Sequence, residues 1–199
     1  IGFIATFIAT TLGTLAALGL SRPHMPYKGL IMAILISPMI VPLIITAAGM
    51  FFFYARINLV YSFTGIILAH VALATPFVVI TVTATLVGFD MNMVKAAQSL
   101  GARPVRTFFK VIMPLILPGV ISGALFAFIT SFDEVVIVMF MGSLDQLTIP
   151  KQMWAGIRQE ISPVILCMAT CLVILSILLL TTVELLRRRS EKLRGIKSR

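Results

Sequence analysis

Four stretches of this chain, residues 1–21, 29–55, 57–89 and 161–183, contain no Lys, Arg, Asp or Glu. A fifth, 115–144, is interrupted only by Asp133 and Glu134. Crossing about 30 Å of hydrocarbon takes roughly 20 helical residues, so an all-α polytopic bundle of about five transmembrane helices is expected in a single domain spanning 1–199. The third stretch is longer than one crossing needs, and Asn58, Tyr61, Ser62 and Gly65 mark its beginning as a turn. With 59% hydrophobic and 12% charged residues, the composition is far from that of a soluble globular domain.

The distribution of charge sets an orientation. Segments 21–28, 88–114 and the tail after Glu184 hold 2, 4 and 7 Lys plus Arg, thirteen in all, against three opposite: Arg56, Lys151 and Arg158. That is a strong positive-inside bias, placing those three segments in the cytoplasm and the 145–162 segment outside, with a basic cytoplasmic tail at 187–199. The net charge of +9 is therefore a matter of membrane topology, and no nucleic-acid partner is called for. Ile1 opens within an apolar run, without an initiator Met or the charged start of a signal peptide, so further chain upstream is expected.

Within the spans, Pro38, Pro42 and Pro76 each remove a backbone hydrogen bond and are expected to bend their helices. Gly119, Gly123 and Ala127 recur every fourth residue, a stripe of small side chains along which another helix can approach closely. Cys167 and Cys171 share a helix face and read as small packing residues, two thiols being too few for a metal site. His24 and His70, the only histidines, have no partner at metal-ligand spacing, and the chain has no phosphate-binding loop ending in Gly-Lys-Ser/Thr. Enzymatic activity is not expected, nor a cofactor in this chain.

Between the third and fourth spans lies a polar island. Asp90 is placed to cap a helix, Gly101 to close it in a left-handed conformation, and Pro104 to start a second short helix ending before Pro114. Ala96, Ala97 and Ser99 keep the first helix slim, whereas Phe108, Phe109 and Val111 alternate with Arg103, Arg106 and Lys110 in the second. The product is a helix-turn-helix at the cytoplasmic surface.

This island resembles the coupling loop of ABC importer permeases, whose pattern is Glu-Ala-Ala, three residues, Gly, nine residues, then Ile-x-Leu-Pro. Ala96, Ala97, Gly101 and Pro114 occupy the matching places; Lys95 reverses the charge of the Glu, and Val111 and Met113 stand for Ile and Leu. The resemblance implies a bacterial inner-membrane permease of the type I importer kind, lacking here the family's usual first helix, in which residues 88–114 dock on a separate ATPase. Lys95, Ala96, Ala97, Ser99, Gly101, Ala102 and Pro114 would carry that docking. It further implies a second permease chain, homologous or identical, two ATPase subunits that bind ATP and Mg, and a soluble binding protein outside.

Ser131-Phe132-Asp133-Glu134 lies about 15 residues beyond Pro118, roughly 22 Å up a helix and so in the outer half of the bilayer. Carboxylates there are costly unless they meet water, a partner charge or a cation, so they mark a candidate functional site. Neighbours on a helix point about 100° apart, so one acid is expected to face the pathway while the other caps, pairs or faces a neighbouring subunit. Arg56, Lys151 and Arg158 are the available partners.

Ser131 to Ile137, with Ile149-Pro150, Trp154, Arg158 and Ser162-Pro163, is similar to the polyamine branch of the permeases, Glu134 standing for that branch's second Asp. Spermidine or putrescine is the cargo so implied, and Ser131, Asp133, Glu134 and Trp154 are the candidate pathway residues, the Trp offering a face for cation–π contact. An iron or small organic-cation complex is the alternative cargo, and a secondary transporter the alternative class. The latter leaves the spacing of the polar island unexplained.

Overall fold

A computed structural model describes residues 1–22, 25–87, 90, 92–159 and 163–193. His24, Gly88, Phe89 and Met91 at the start of the polar island, residues 160–162 of the segment expected outside and 194–199 of the basic tail lie outside the described residues. Every regular element among the described residues is helical.

The first apolar run forms α1 (Gly2–Leu20). The second is broken: α2 (Lys28–Ile40) and α3 (Leu43–Arg56) meet at 106°, neither long enough alone for a crossing. The cause is local, because a residue preceding proline is pushed out of the helical region, and Val41, before Pro42, is extended at φ −72°, ψ 135°. Pro38 and Pro76 remain inside their helices, so only one of the three prolines breaks a span. The expected turn follows α3, with Asn58 and Tyr61 at positive φ. Ser62 Oγ then accepts the Gly65 N–H at 3.0 Å and opens α4 (Phe63–Val87).

After α5 (Asn92–Ser99) comes α6 (Pro104–Thr107), with Pro104 at the helix start as its fixed φ favours. Contrary to expectation, this second helix of the island does not end before Pro114. A π turn, Phe108–Ile112, joins it to α7 (Met113–Phe132), so that residues 104–132 form one 29-residue rod. Pro114 offers no N–H, and its ring would crowd the Lys110 carbonyl in a regular α turn. The π register, in which the Met113 N–H reaches the Phe108 carbonyl, widens the helix at that point. Beyond α7 lie α8 (Val136–Met141), α9 (Ile149–Gln159) and α10 (Pro163–Leu193).

The core is formed by α1, α4 and α7 packed against one another. Small residues make this possible. Gly119 and Gly123 of α7 lie so close to α4 that a β-carbon would stand 2.7 Å from the Thr85 side chain and 2.5 Å from Thr81 Oγ1. Ala127 and Ser131 continue the same buried stripe. α1 in turn brings Gly13 against Val78, where a β-carbon would come within 2.6 Å. Two-thirds (67%) of α4's membrane-length window is buried against 0% of α10's, which makes α4 the axis of the bundle and α10 its outermost helix. Cys167 and Cys171 are free and exposed on α10 and do not pack as expected, because among the described residues that helix meets the bundle chiefly along a narrow seam with α7 and α9.

The turn after α3 and the loop after α8 share one end of the bundle. The Tyr61 N–H donates to the Met141 carbonyl at 2.9 Å, and Gln146 Nε2 donates to the Tyr61 carbonyl at 3.2 Å. At the other end, Leu18, Leu86, Ile112 and Met113 pack on one cluster.

Gly123→Val should therefore separate α4 from α7, because a β-carbon meets Val78 Cα at 2.9 Å and backbone cannot move aside. Overpacking of this kind costs about 1–3 kcal/mol. The check is thermal unfolding of the purified protein in detergent, with Gly49→Val, which meets nothing within 4 Å, as the tolerated control.

Candidate functional site

The polar island and the acid pair occupy the two ends of the rod. At the island, Asp90 Oδ1 accepts the Asn92 N–H at 2.9 Å and so caps the start of α5, as its position in the sequence indicates. At the other end of α5, Gly101 adopts φ +77°, the Gly101 N–H donates to Gln98 at 2.9 Å and the Ala102 N–H to Ala97 at 3.0 Å. Those two bonds form a Schellman motif, which needs a left-handed residue where Gly101 sits. Lys95, Ala96, Ser99 and Gly101 are exposed, Ala97 and Ala102 half-buried, and Pro114 is exposed where the rod leaves the turn. Leu100 is 89% exposed at the apex, an apolar side chain that none of the described residues covers.

At the other end, α7 stops at Phe132, so Asp133 and Glu134 do not ride on one helix as expected. Asp133 (φ −89°, ψ 1°) is the α7 C-cap, its N–H donating to Ile129 at 3.0 Å. Glu134 is 7% exposed and turns inward, where Oε1 accepts the Ile137 N–H at 2.8 Å at the start of α8. A carboxylate satisfies a free N–H and opposes the positive end of the short helix. Asp133 is exposed, faces a cavity between α7 and α10, and its carboxylate has no hydrogen bond or ion pair among the described residues. The division between one capping acid and one open acid is thus real, but it comes from the break in the helix and not from helical rotation.

None of the three basic residues pairs with the acids. Lys151 Nζ donates to the carbonyls of Ser143 and Gln146 at 3.0 and 3.2 Å, tying down the loop after α8. Arg158 lies with its guanidinium 5.8 Å from the centroid of the Trp154 ring, as residues four apart on a helix can. Trp154 therefore already carries a cation on one face, and it does not line the Asp133 cavity. Ser131 is buried and hydrogen-bonded to His70 Nδ1 at 2.8 Å, which pins the end of α7 to α4. His70 and Gln146 went unassigned in the sequence; a lone histidine in an apolar span was the available signal, whereas nothing local announces a glutamine that bonds 85 residues away.

The backbone superposes on a chain of the MetNI methionine ABC transporter in inward-facing conformations, with TM-score 0.74, covering 95% of this chain and 90% of that one. At 19% identity this shows the fold alone, that of a type I ABC importer permease. The model of the family described as binding-protein-dependent transport system inner membrane component matches residues 9–192, and the chain belongs to that family. It is similar to the spermidine/putrescine transport system permease protein PotC of Haemophilus influenzae, 32% identical over 96% of this chain and 74% of the relative. PotC of Escherichia coli K12 is 31% identical over 96% of this chain and 72% of its own length. The putrescine transport system permease protein PotI of the same organism is 30% identical over 83% of this chain and 62% of that protein.

Glu134→Leu should leave the Ile137 N–H buried without a partner, at about 1–3 kcal/mol. Glu134→Gln keeps an acceptor oxygen and should retain most of that stability. Thermal unfolding of the two variants beside the parent checks the capping role; equal loss in both would reject it.

Proposed function

We propose that this permease is the transmembrane subunit of an ATP-driven importer of polyamines such as spermidine or putrescine. Residues 88–114 form its cytoplasmic coupling loop, 145–162 its external loop and 187–199 its basic cytoplasmic tail. It would pair with a second permease chain, homologous or identical, so that the pathway runs between them. Two ATPase subunits that hold ATP and Mg sit beneath, and a soluble binding protein delivers cargo from outside.

The observation that carries this reading is the unbroken helical rod 104–132. One of its ends abuts the Gly101 turn and the other carries Asp133, so the rod spans roughly 40 Å between the two. A displacement of the turn, imposed when the ATPase dimer closes on ATP, is carried to the acid along this one continuous helix, in which Pro118 lies without breaking it. Ala96, Ala97 and Ser99 leave α5 slim enough to seat in a cleft, and the exposed Leu100 supplies an apolar contact for the partner.

The cargo assignment is supported by the names of the PotC and PotI relatives and by the open carboxylate of Asp133, a charge that attracts ammonium groups. Ser131 and Glu134 position that end of α7, through His70 and the start of α8 respectively, and Trp154 belongs to the external helix.

Gly101→Asp should uncouple uptake from ATP hydrolysis. A side chain at φ +77° strains the turn, and its charge enters the docking surface. In reconstituted complex the expected result is basal ATPase activity without uptake, the membrane domain remaining assembled. Normal uptake, with the ATPase bound as tightly as to the parent, would reject the docking role.

A further inference from the structure

Residues 111–132 of the rod contain no Lys, Arg, Asp or Glu. At 1.5 Å per residue they run about 33 Å, close to the roughly 30 Å of hydrocarbon in a bilayer. The whole rod, 104–132, runs about 43 Å, the thickness of a bilayer with its headgroups included. Its first two turns therefore stand in the headgroup layer. Three cations lie there, Arg103, Arg106 and Lys110, spaced three and four residues apart and so on one side of the helix. All three are exposed, and their side chains make no hydrogen bond or ion pair among the described residues. Asp90 is the only acid between residues 88 and 132, and its carboxylate is occupied at the start of α5. Beside the cations runs an apolar strip: Val105, 69% exposed, and Phe109, 61% exposed, are four residues apart, and Phe109 is three from Arg106. Thr107 is the buried residue of α6, so the helix seats by that side and presents the cations and the strip outward.

We propose that residues 103–110 form a binding site for an anionic phospholipid, its phosphate held by Arg103, Arg106 and Lys110 and the start of an acyl chain laid on Val105 and Phe109. A guanidinium pairs with phosphate through two parallel hydrogen bonds, and an ammonium adds a point charge. A soluble anion would satisfy the cations and leave Val105 and Phe109 in water, whereas an amphiphile satisfies both. None of these five residues is among those assigned to ATPase docking, so lipid and ATPase occupy this end of the rod together. Bound there, the lipid fixes the depth at which the rod enters the bilayer, and with it the height of the Gly101 turn.

The test is native mass spectrometry of the assembled transporter, permease with its ATPase, titrated in detergent with dioleoylphosphatidylglycerol or dioleoylphosphatidylcholine. A basic residue at an anionic lipid surface is worth about fivefold in affinity, so Arg103→Gln with Arg106→Gln should weaken phosphatidylglycerol binding by about 25-fold and leave phosphatidylcholine unchanged. Arg22→Gln with Lys28→Gln removes the same charge from exposed positions near α1's end and should change neither lipid. Phe109→Ala should weaken both lipids, because it removes apolar contact and no charge. All five substituted side chains are exposed, so folding is not at stake. Equal affinity of the parent for the two lipids, or undiminished phosphatidylglycerol binding by Arg103→Gln with Arg106→Gln, rejects the site. Loss of the ATPase from that variant at unchanged lipid binding assigns the cations to an acidic protein surface and overturns the proposal. Displacement of phosphatidylglycerol by inorganic phosphate at equal concentration, or full binding by Phe109→Ala, reduces the site to a bare anion cluster and rejects it as well.

Discussion

α4 and α7 approach each other so closely that neither Gly119 nor Gly123 has room for a β-carbon, and most of what this molecule can do depends on that contact. In lipid, apolar burial gives little drive to helix association, so backbone proximity and van der Waals packing must supply it. The stripe 119, 123, 127, 131 is the seam. Its last member, Ser131, ends the row in a hydrogen bond to His70, so a contact based on shape finishes in a directional one. α1 repeats the device against α4 through Gly13 and Val78.

A helix held along that much of its length behaves as a unit, and it extends past its own membrane span into the polar island. The π turn is what allows this. Pro114 would otherwise kink or end the helix; the shift of register at Phe108–Ile112 accommodates its ring and lets α6 and α7 run on as one. At its other end the rod stops at Phe132, and the break sorts two adjacent acids: Glu134 is consumed by the start of α8, Asp133 is left open beside an apolar cavity. The helix ending thereby sets the polarity of the cavity.

Much of this was legible in the sequence, because its causes are local. The runs without charge, the small-residue stripe, the Asn58–Gly65 turn, the Asp90 cap and the left-handed Gly101 each follow from one residue type at one spacing. What was not legible depends on partners far along the chain or on a change of helical register. The continuity of 104–132 was hidden because proline ordinarily signals an end, and a π turn has no sequence signature of its own. The fates of Asp133 and Glu134 could not be read from a helical wheel, since the wheel assumes a helix that stops one residue earlier. His70, Gln146 and the wall that α10 lends to the cavity are tertiary facts, joining residues 61, 85 and 39 or more positions apart.

The central claim is that α6, the π turn and α7 transmit force as one rod. It is tested most directly by softening the joint without altering either end. Val111 and Ile112, half-buried in the π turn, would be replaced together by Gly and, in a matched control, by Ala, which removes similar packing but keeps the helix stiff. The measurement is stimulation of ATPase activity by cargo-loaded binding protein in reconstituted complex. The rod account predicts that the Ala pair retains stimulation while the Gly pair falls to basal activity with the ATPase still bound. Stimulation and uptake by the Gly pair equal to those of the Ala pair would contradict it.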